Sequence, residues 1–154
     1  MYARTKAPVT PATDIRRVMV WPVATVDAGA TLAETAEALA ADEVGALCVI
    51  EDGRLAGIVS ERDVVVHIAA GANPAHLTAG EAMSNDLVTA SPDDSLLEAA
   101  RRMEDAQVRH LPVVDQGDIA GIISMRDLFT AFVDAHDPTV VIVRSGTKVM
   151  VVDE

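Results

Sequence analysis

Gly121-Ile122-Ile123-Ser124-Met125-Arg126-Asp127 decides the fold, because the chain has already written it once, as Gly57-Ile58-Val59-Ser60-Glu61-Arg62-Asp63, 64 positions earlier (121 − 57). In each copy a short apolar strand runs into a Ser, and an Asp follows three residues later at the start of a helical segment. A Ser in that place is a helix N-cap, its hydroxyl accepting from a backbone N–H of the new helix. Asp63 and Asp127 then fall in the first helical turn, beside N–H groups that lack intrahelical partners. Two readings are open. One is a capping box, Ser-x-x-Asp, which stabilises a helix and does nothing else. The other is a polar ligand site, where a hydroxyl, a carboxylate acceptor and a positive helix end converge as a strand stops.

Outward from that stretch the repetition continues without a gap. Met83 repeats Met19, Thr89 repeats Thr25, and Ser95-Leu96-Leu97-Glu98 repeats the capping box Thr31-Leu32-Ala33-Glu34. Ala100 matches Ala36, Val108 matches Val44, and Leu111 and Val113 match Leu47 and Val49. An internal duplication is therefore established from this one sequence. Each unit reads as β-α-β-β-α. In the first, residues 23–26 are a short strand, 32–42 an Ala-rich helix, 46–50 a buried strand, Glu51-Asp52-Gly53-Arg54 a hairpin turn, 55–59 its partner strand, and 60–70 a helix. Asp14 starts a short helical turn through Ile15, Val18 and Met19, which Trp21-Pro22 breaks. A lone Trp beside a Pro reads as a packing residue, with stacking on a base as its other possible use. The expected division is a flexible arm over 1–13, a first unit over 14–70, a linker over 71–77, a second unit over 78–136 and a C-terminal β-hairpin over 137–154. That hairpin is apolar enough to require a sheet edge or another chain.

The totals bound the function. At 154 residues, half of them apolar, the chain has enough material for a core of Val, Leu, Ile, Ala and Met, since aromatics are only 3%. Its formal charge of −12 argues against a nucleic-acid or anionic-membrane surface. No apolar run reaches the length of a membrane span, and Met1-Tyr2-Ala3-Arg4-Thr5-Lys6 leads into Pro and Thr rather than a signal-like apolar segment. The expectation is a soluble, cytoplasmic protein. A single Cys48 in an apolar run excludes a disulfide framework within the chain and reads as a buried strand thiol.

With Gly-Ile-Val-Ser-Glu-Arg-Asp and Arg109-His110-Leu111-Pro112-Val113-Val114-Asp115 both in view, the repeat resembles the CBS domain, named after cystathionine β-synthase, and the pair resembles a Bateman module. The resemblance covers roughly residues 14–135. It implies an α/β (α+β) fold of two β-α-β-β-α units related by a pseudo-two-fold axis. It also implies a flat homodimer whose helices face a second copy, and the apolar run Val64-Val65-Val66 with Ile68 suits such an interface. The implied function is regulatory: an adenosine-containing ligand (AMP, ADP, ATP, S-adenosylmethionine or similar) binds in clefts between the units, and an effector protein reads the change. Carried over by position, Asp63 and Asp127 accept from ribose hydroxyls, and Ser60 and Ser124 lie near the ribose or phosphate. Thr25 and Thr89, at the end of each unit's first strand, border the base, as do Ala46 and His110 at the start of the second strand. Arg62 and Arg126 are either phosphate partners or solvated helix-end charges. Cys48 departs from the pattern, standing where the second unit has Pro112.

The chemistry of an enzyme is not legible. His67, His76, His110 and His136 are scattered without metal-ligand spacing, and no nucleophile accompanies His110. No Gly-rich dinucleotide or phosphate loop is present. The chain is read as non-catalytic, with no metal and no required cofactor. The alternative is a structural or interaction protein whose Ser-x-x-Asp copies are only caps, and a third reading is a metal- or redox-responsive protein using Cys48 and the histidines.

Overall fold

A computed structural model of the chain describes residues 8–136, 140–145 and 148–153. The first unit contains β1 (Thr25–Asp27), α1 (Leu32–Ala41), β2 (Ala46–Glu51), β3 (Arg54–Ser60) and α2 (Glu61–Ala69). A short helix α3 (Ala79–Ala82) leads to the second unit, with α4 (Leu96–Ala106), β4 (His110–Asp115), β5 (Asp118–Ser124) and α5 (Met125–His136). β6 (Val140–Ser145) and β7 (Lys148–Asp153) form an antiparallel two-stranded sheet of their own, so the expected C-terminal hairpin is present. Within each unit the β-β connection turns on two successive positive-φ residues, Asp52-Gly53 and Gln116-Gly117, the backbone that a two-residue hairpin loop requires.

Each core is built from both halves of the chain. Ile15, in a 3₁₀ turn over Ile15–Arg17, is fully buried among Leu96, Leu111, Val113, Ile123 and Leu128 of the second unit. Ala79 and Ala82 of α3 are buried among Leu32, Leu47, Val49 and Val59 of the first. The backbone repeats this exchange about the pseudo-dyad. Leu96 N–H donates to the Thr13 carbonyl at 2.9 Å, and Leu32 N–H donates to the Leu77 carbonyl at 2.7 Å. Val20 bridges to Ile122 on β5, and Ser84 bridges to Ile58 on β3. Residues 8–13, part of the expected arm, therefore lie against the second unit, with Thr13 buried and Val9 packed on its core. Residues 1–7 lie outside the described residues.

The first strands of the two units differ. β1 pairs in parallel with β2, Thr25 opposite Cys48, so Thr25 opens this strand and does not close it as expected. In the second unit the equivalent stretch shrinks to a single bridge, Ala90 with Val113, and Thr89 lies just outside it. Two prolines are the cause: Pro92 stands where Ala28 N–H donates to the Ile50 carbonyl at 2.8 Å in the first unit, and Pro112 removes a second donor. In the first unit Cys48 N–H donates to the Ala24 carbonyl at 3.1 Å, and a proline at that position has no N–H to give.

Gly57 and Gly121 make the exchange sterically possible. A Cβ on Gly57 would lie 2.5 Å from the Met83 sulfur and 2.6 Å from the Ser84 carbonyl oxygen. On Gly121 it would lie 2.8 Å from the Met19 sulfur and 3.1 Å from the Val20 carbonyl oxygen. Gly57→Ala is expected to lower the unfolding free energy by about 1–3 kcal/mol in urea denaturation. Gly121→Ala is expected to cost less, because the backbone oxygen it would meet, that of Val20, stands 3.1 Å away, whereas that of Ser84 stands 2.6 Å from the Gly57 position. Negligible losses at both positions would show that these segments do not clamp the fold.

Candidate functional site

Both Ser-x-x-Asp stretches form complete capping boxes. Ser60 N–H and Oγ–H donate to Asp63 Oδ2 at 2.7 and 2.9 Å, while Ser60 Oγ accepts from Asp63 N–H at 3.3 Å. Ser124 N–H and Oγ–H donate to Asp127 Oδ2, each at 2.8 Å, and Ser124 Oγ accepts from Asp127 N–H at 3.1 Å. The first of the two readings is thus realised in both copies. One carboxylate oxygen of each Asp is committed to its cap, and each hydroxyl both donates and accepts within it. The corners differ in access: Asp63 is half-buried, whereas Asp127 is only 6% exposed.

The sheets bring two further expected residues to the same corners. Ala46 is the cross-strand partner of Ser60, and His110 is the partner of Ser124. The backbone just before each second strand closes the corner, since Gly45 carbonyl accepts from Glu61 N–H at 3.0 Å and Arg109 carbonyl accepts from Met125 N–H at 2.9 Å. Both corners adjoin the seam between units, because the His110 ring lies against Gly45. Thr25 and Thr89 are one strand over. Thr25 is exposed, and the Thr89 carbonyl accepts from Arg102 Nη1 at 3.1 Å. Arg62 and Arg126 are exposed in the first turns of α2 and α5.

One residue departs from its sequence reading, and three others at the seam are not singled out by it. Trp21 is 64% exposed and is not a packing residue. It lies on the crossover from the Val20–Ile122 bridge to β1, outside both aliphatic cores. Gly45, Glu61 and Arg109 at the seam are given no role from the sequence, and the one signal for them is that they differ between the copies. A shallow depression of about 450 Å³, bordered by Glu51, Asp52, Arg54, Leu55 and Ala56, lies at the opposite end of the β2–β3 hairpin from Ser60 and touches none of the expected site residues.

Among the described residues no group of three or more His, Cys, Asp and Glu side chains is placed to hold a metal ion. Cys48 is fully buried on the central strand β2, and burial pushes its thiol up to about 11. Thiolate is the reactive form, so native protein at pH 7.5 is expected to resist iodoacetamide for hours and to label only as urea unfolds it. Rapid labelling of the folded chain would contradict this burial. Ser124→Ala, which deletes a cap hydroxyl, is expected to cost about 1 kcal/mol in the same urea titration.

Comparison with known proteins agrees with this architecture. The CBS domain family model matches residues 13–70 and 79–134. The CBS domain-containing protein YhcV of Bacillus subtilis is 35% identical over 114 residues, 74% of this chain and 81% of its own length. Hypoxic response protein 1 of Mycobacterium tuberculosis is 32% identical over 118 residues, 75% of this chain and 82% of its own. The crystal structure of Hypoxic Response Protein I, with two coordinated zinc ions, superposes with a TM-score of 0.68 at 32% identity over 76% of this chain and 97% of that one. The CBS domain pair of protein MJ0100, in complex with 5′-methylthioadenosine and S-adenosyl-L-methionine, superposes with a TM-score of 0.73 at 24% identity over 79% of this chain and 97% of that one. No helix among the described residues is long and apolar enough to cross a membrane. With its duplicated units, exchanged leading segments and twofold family match, the chain belongs to the CBS domain family and carries two CBS domains in tandem.

Proposed function

We propose that this protein is a regulatory, non-catalytic module that binds an adenosine-containing small molecule between its two CBS units and signals to an effector protein through their arrangement. The observation that carries the reading is the pair of Ser-x-x-Asp corners at the seam, each a carboxylate fixed at a helix N-terminus. A carboxylate offers about four lone-pair sites. At the half-buried Asp63 the cap uses one oxygen, and the other suits a ribose hydroxyl. The ligand class is AMP, ADP, ATP, S-adenosylmethionine or a close relative, supported by the adenosine compounds held by the MJ0100 pair. Ser60, Asp63, Ala46, Thr25 and Arg62 form the first site, and Ser124, Asp127, His110, Thr89 and Arg126 the second. The ligand acts by favouring one arrangement of the units over another.

The module works as a homodimer. Val65 is 65% exposed, and Val66, Ile68, Met125 and Phe129 are also exposed on α2 and α5 among the described residues. Such a face suits burial against a second copy. A chain of net charge −12 is a poor partner for nucleic acid or an anionic membrane, which fits a cytoplasmic regulator.

One observation favours a second reading, a scaffold without ligand: both serine hydroxyls are already satisfied inside their caps. Isothermal titration calorimetry with AMP, ATP and S-adenosylmethionine separates the two. Binding to wild type that is lost in Asp63→Ala or Asp127→Ala, with unfolding free energy lowered by only about 1 kcal/mol, supports the sensor. Absence of binding by any adenosine compound to wild type leaves the scaffold. Val65→Glu is expected to shift the chain from dimer to monomer in sedimentation equilibrium, and a wild-type monomer at high micromolar concentration would refute the assembly.

A further inference from the structure

The seam is where the two copies of the duplication stop matching. Gly45 and Ala46 of the first unit correspond to Arg109 and His110 of the second, and Glu61 corresponds to Met125. Small residues in one unit thus stand where large basic ones stand in the other. The contact between units follows this difference. A Cβ on Gly45 would lie 3.2 Å from His110 Nε2 and 3.4 Å from Cε1, so the imidazole rests close to bare backbone that any larger residue would crowd. The same Gly45 carries the carbonyl that receives the first N–H of α2, from Glu61. A movement of the His110 ring therefore bears directly on the strand start and helix start of the neighbouring unit.

Charges meet this ring from both units. Asp127 and Arg126 face it from the first turn of α5, Glu61 from the first turn of α2, and Arg109 from the adjoining position in the chain. Burial is the largest influence and favours the neutral imidazole, with Arg126 and Arg109 acting in the same direction. Asp127 and Glu61 oppose it, and burial prevails, so the His110 pKa is lowered from its ordinary value of 6.5.

We propose that His110 is a titratable wedge in the joint between the CBS units, which seats the second unit on Gly45 of the first when neutral and leaves that seat for Asp127 and Glu61 when protonated. The joint is firm in neutral solution and loosens in acid, with no ligand required. The sign follows from proton linkage. Between the lowered folded pKa and the unfolded value of about 6.5 the unfolded chain holds more protons on this ring. The stability that His110 contributes is complete above about pH 6.5 and declines as pH falls from there to the folded pKa. The capping carboxylates of Glu34, Glu81 and Glu98 are lowered from 4.5 and lose their contribution only in stronger acid.

The test is an NMR titration of the whole chain between pH 8 and pH 4. The His110 Cε1–H resonance is expected to titrate below pH 6.5, the Gly45 amide to follow the same midpoint, and residual dipolar couplings to report a changed angle between units across it. Glu61→Gln should move the midpoint lower still, because it removes a group that favours the charged ring. In His110→Phe, which keeps a ring without a titrating group, the Gly45 amide and the inter-unit angle should stay constant over the range. A Gly45 amide that ignores the His110 midpoint, or couplings that do not change as wild-type His110 protonates, would overturn the proposal, and both are read on the wild-type chain alone.

Discussion

The close approach of Met83 to Gly57 and of Met19 to Gly121 is the constraint on which the rest of the molecule depends. Each unit alone is a thin sheet with two helices, too small to bury its apolar face. The chain solves this by sending the segment that precedes each unit across to cover the other. Ile15 fills one core and Ala79 and Ala82 the other. The crossing chain can lie that close only where the sheet has no side chain. Two units whose cores each contain a piece of the other cannot come apart without exposing both. The seam between them is thereby a fixed feature of the fold and not an incidental contact.

That seam is also where the two capping-box corners of the proposed ligand sites lie. A strand that ends in Ser and turns at once into a helix places an Asp over the first free N–H groups. The resulting capping box fixes the carboxylate in position before any ligand arrives. In the proposed function, stability and recognition draw on the same atoms. A carboxylate already held at a helix N-terminus is preorganised as an acceptor, and little ordering remains to be done on binding. The two corners are not equal, however. Asp63 beside Ala46 is half-buried, while Asp127 beside His110 is nearly closed.

Duplication followed by divergence accounts for this inequality. Pro112 in place of Cys48 and Pro92 in place of Ala28 each remove one N–H, and together they reduce a parallel strand to a single bridge. His110 in place of Ala46, against Gly45, makes the joint a fit between a large residue and an absent one. The backbone remains nearly symmetric, since hydrogen bonds recur about the pseudo-dyad with exchanged partners. The side chains at the centre do not: Gly45, Ala46 and Glu61 stand opposite Arg109, His110 and Met125 in the repeat.

The repeat, the strand and helix order, both capping boxes, the hairpin turns and the buried Cys48 were legible in the residues, because each rests on local chemistry or on a 64-residue self-match. Ser60, Asp63, Ser124 and Asp127 were found for the same reason: a cap is made by neighbours three positions apart. What the sequence could not reveal was which unit each leading segment covers, since Ile15 lies far along the chain from the Leu111 and Ile123 beside which it is buried. Nor did it reveal that Trp21 stands in solvent or that His110 meets Gly45 across the seam. Those facts depend on how two similar surfaces are superposed in space. Only the tertiary structure decides that, because the energy of packing one unit on another is written in no single stretch of either.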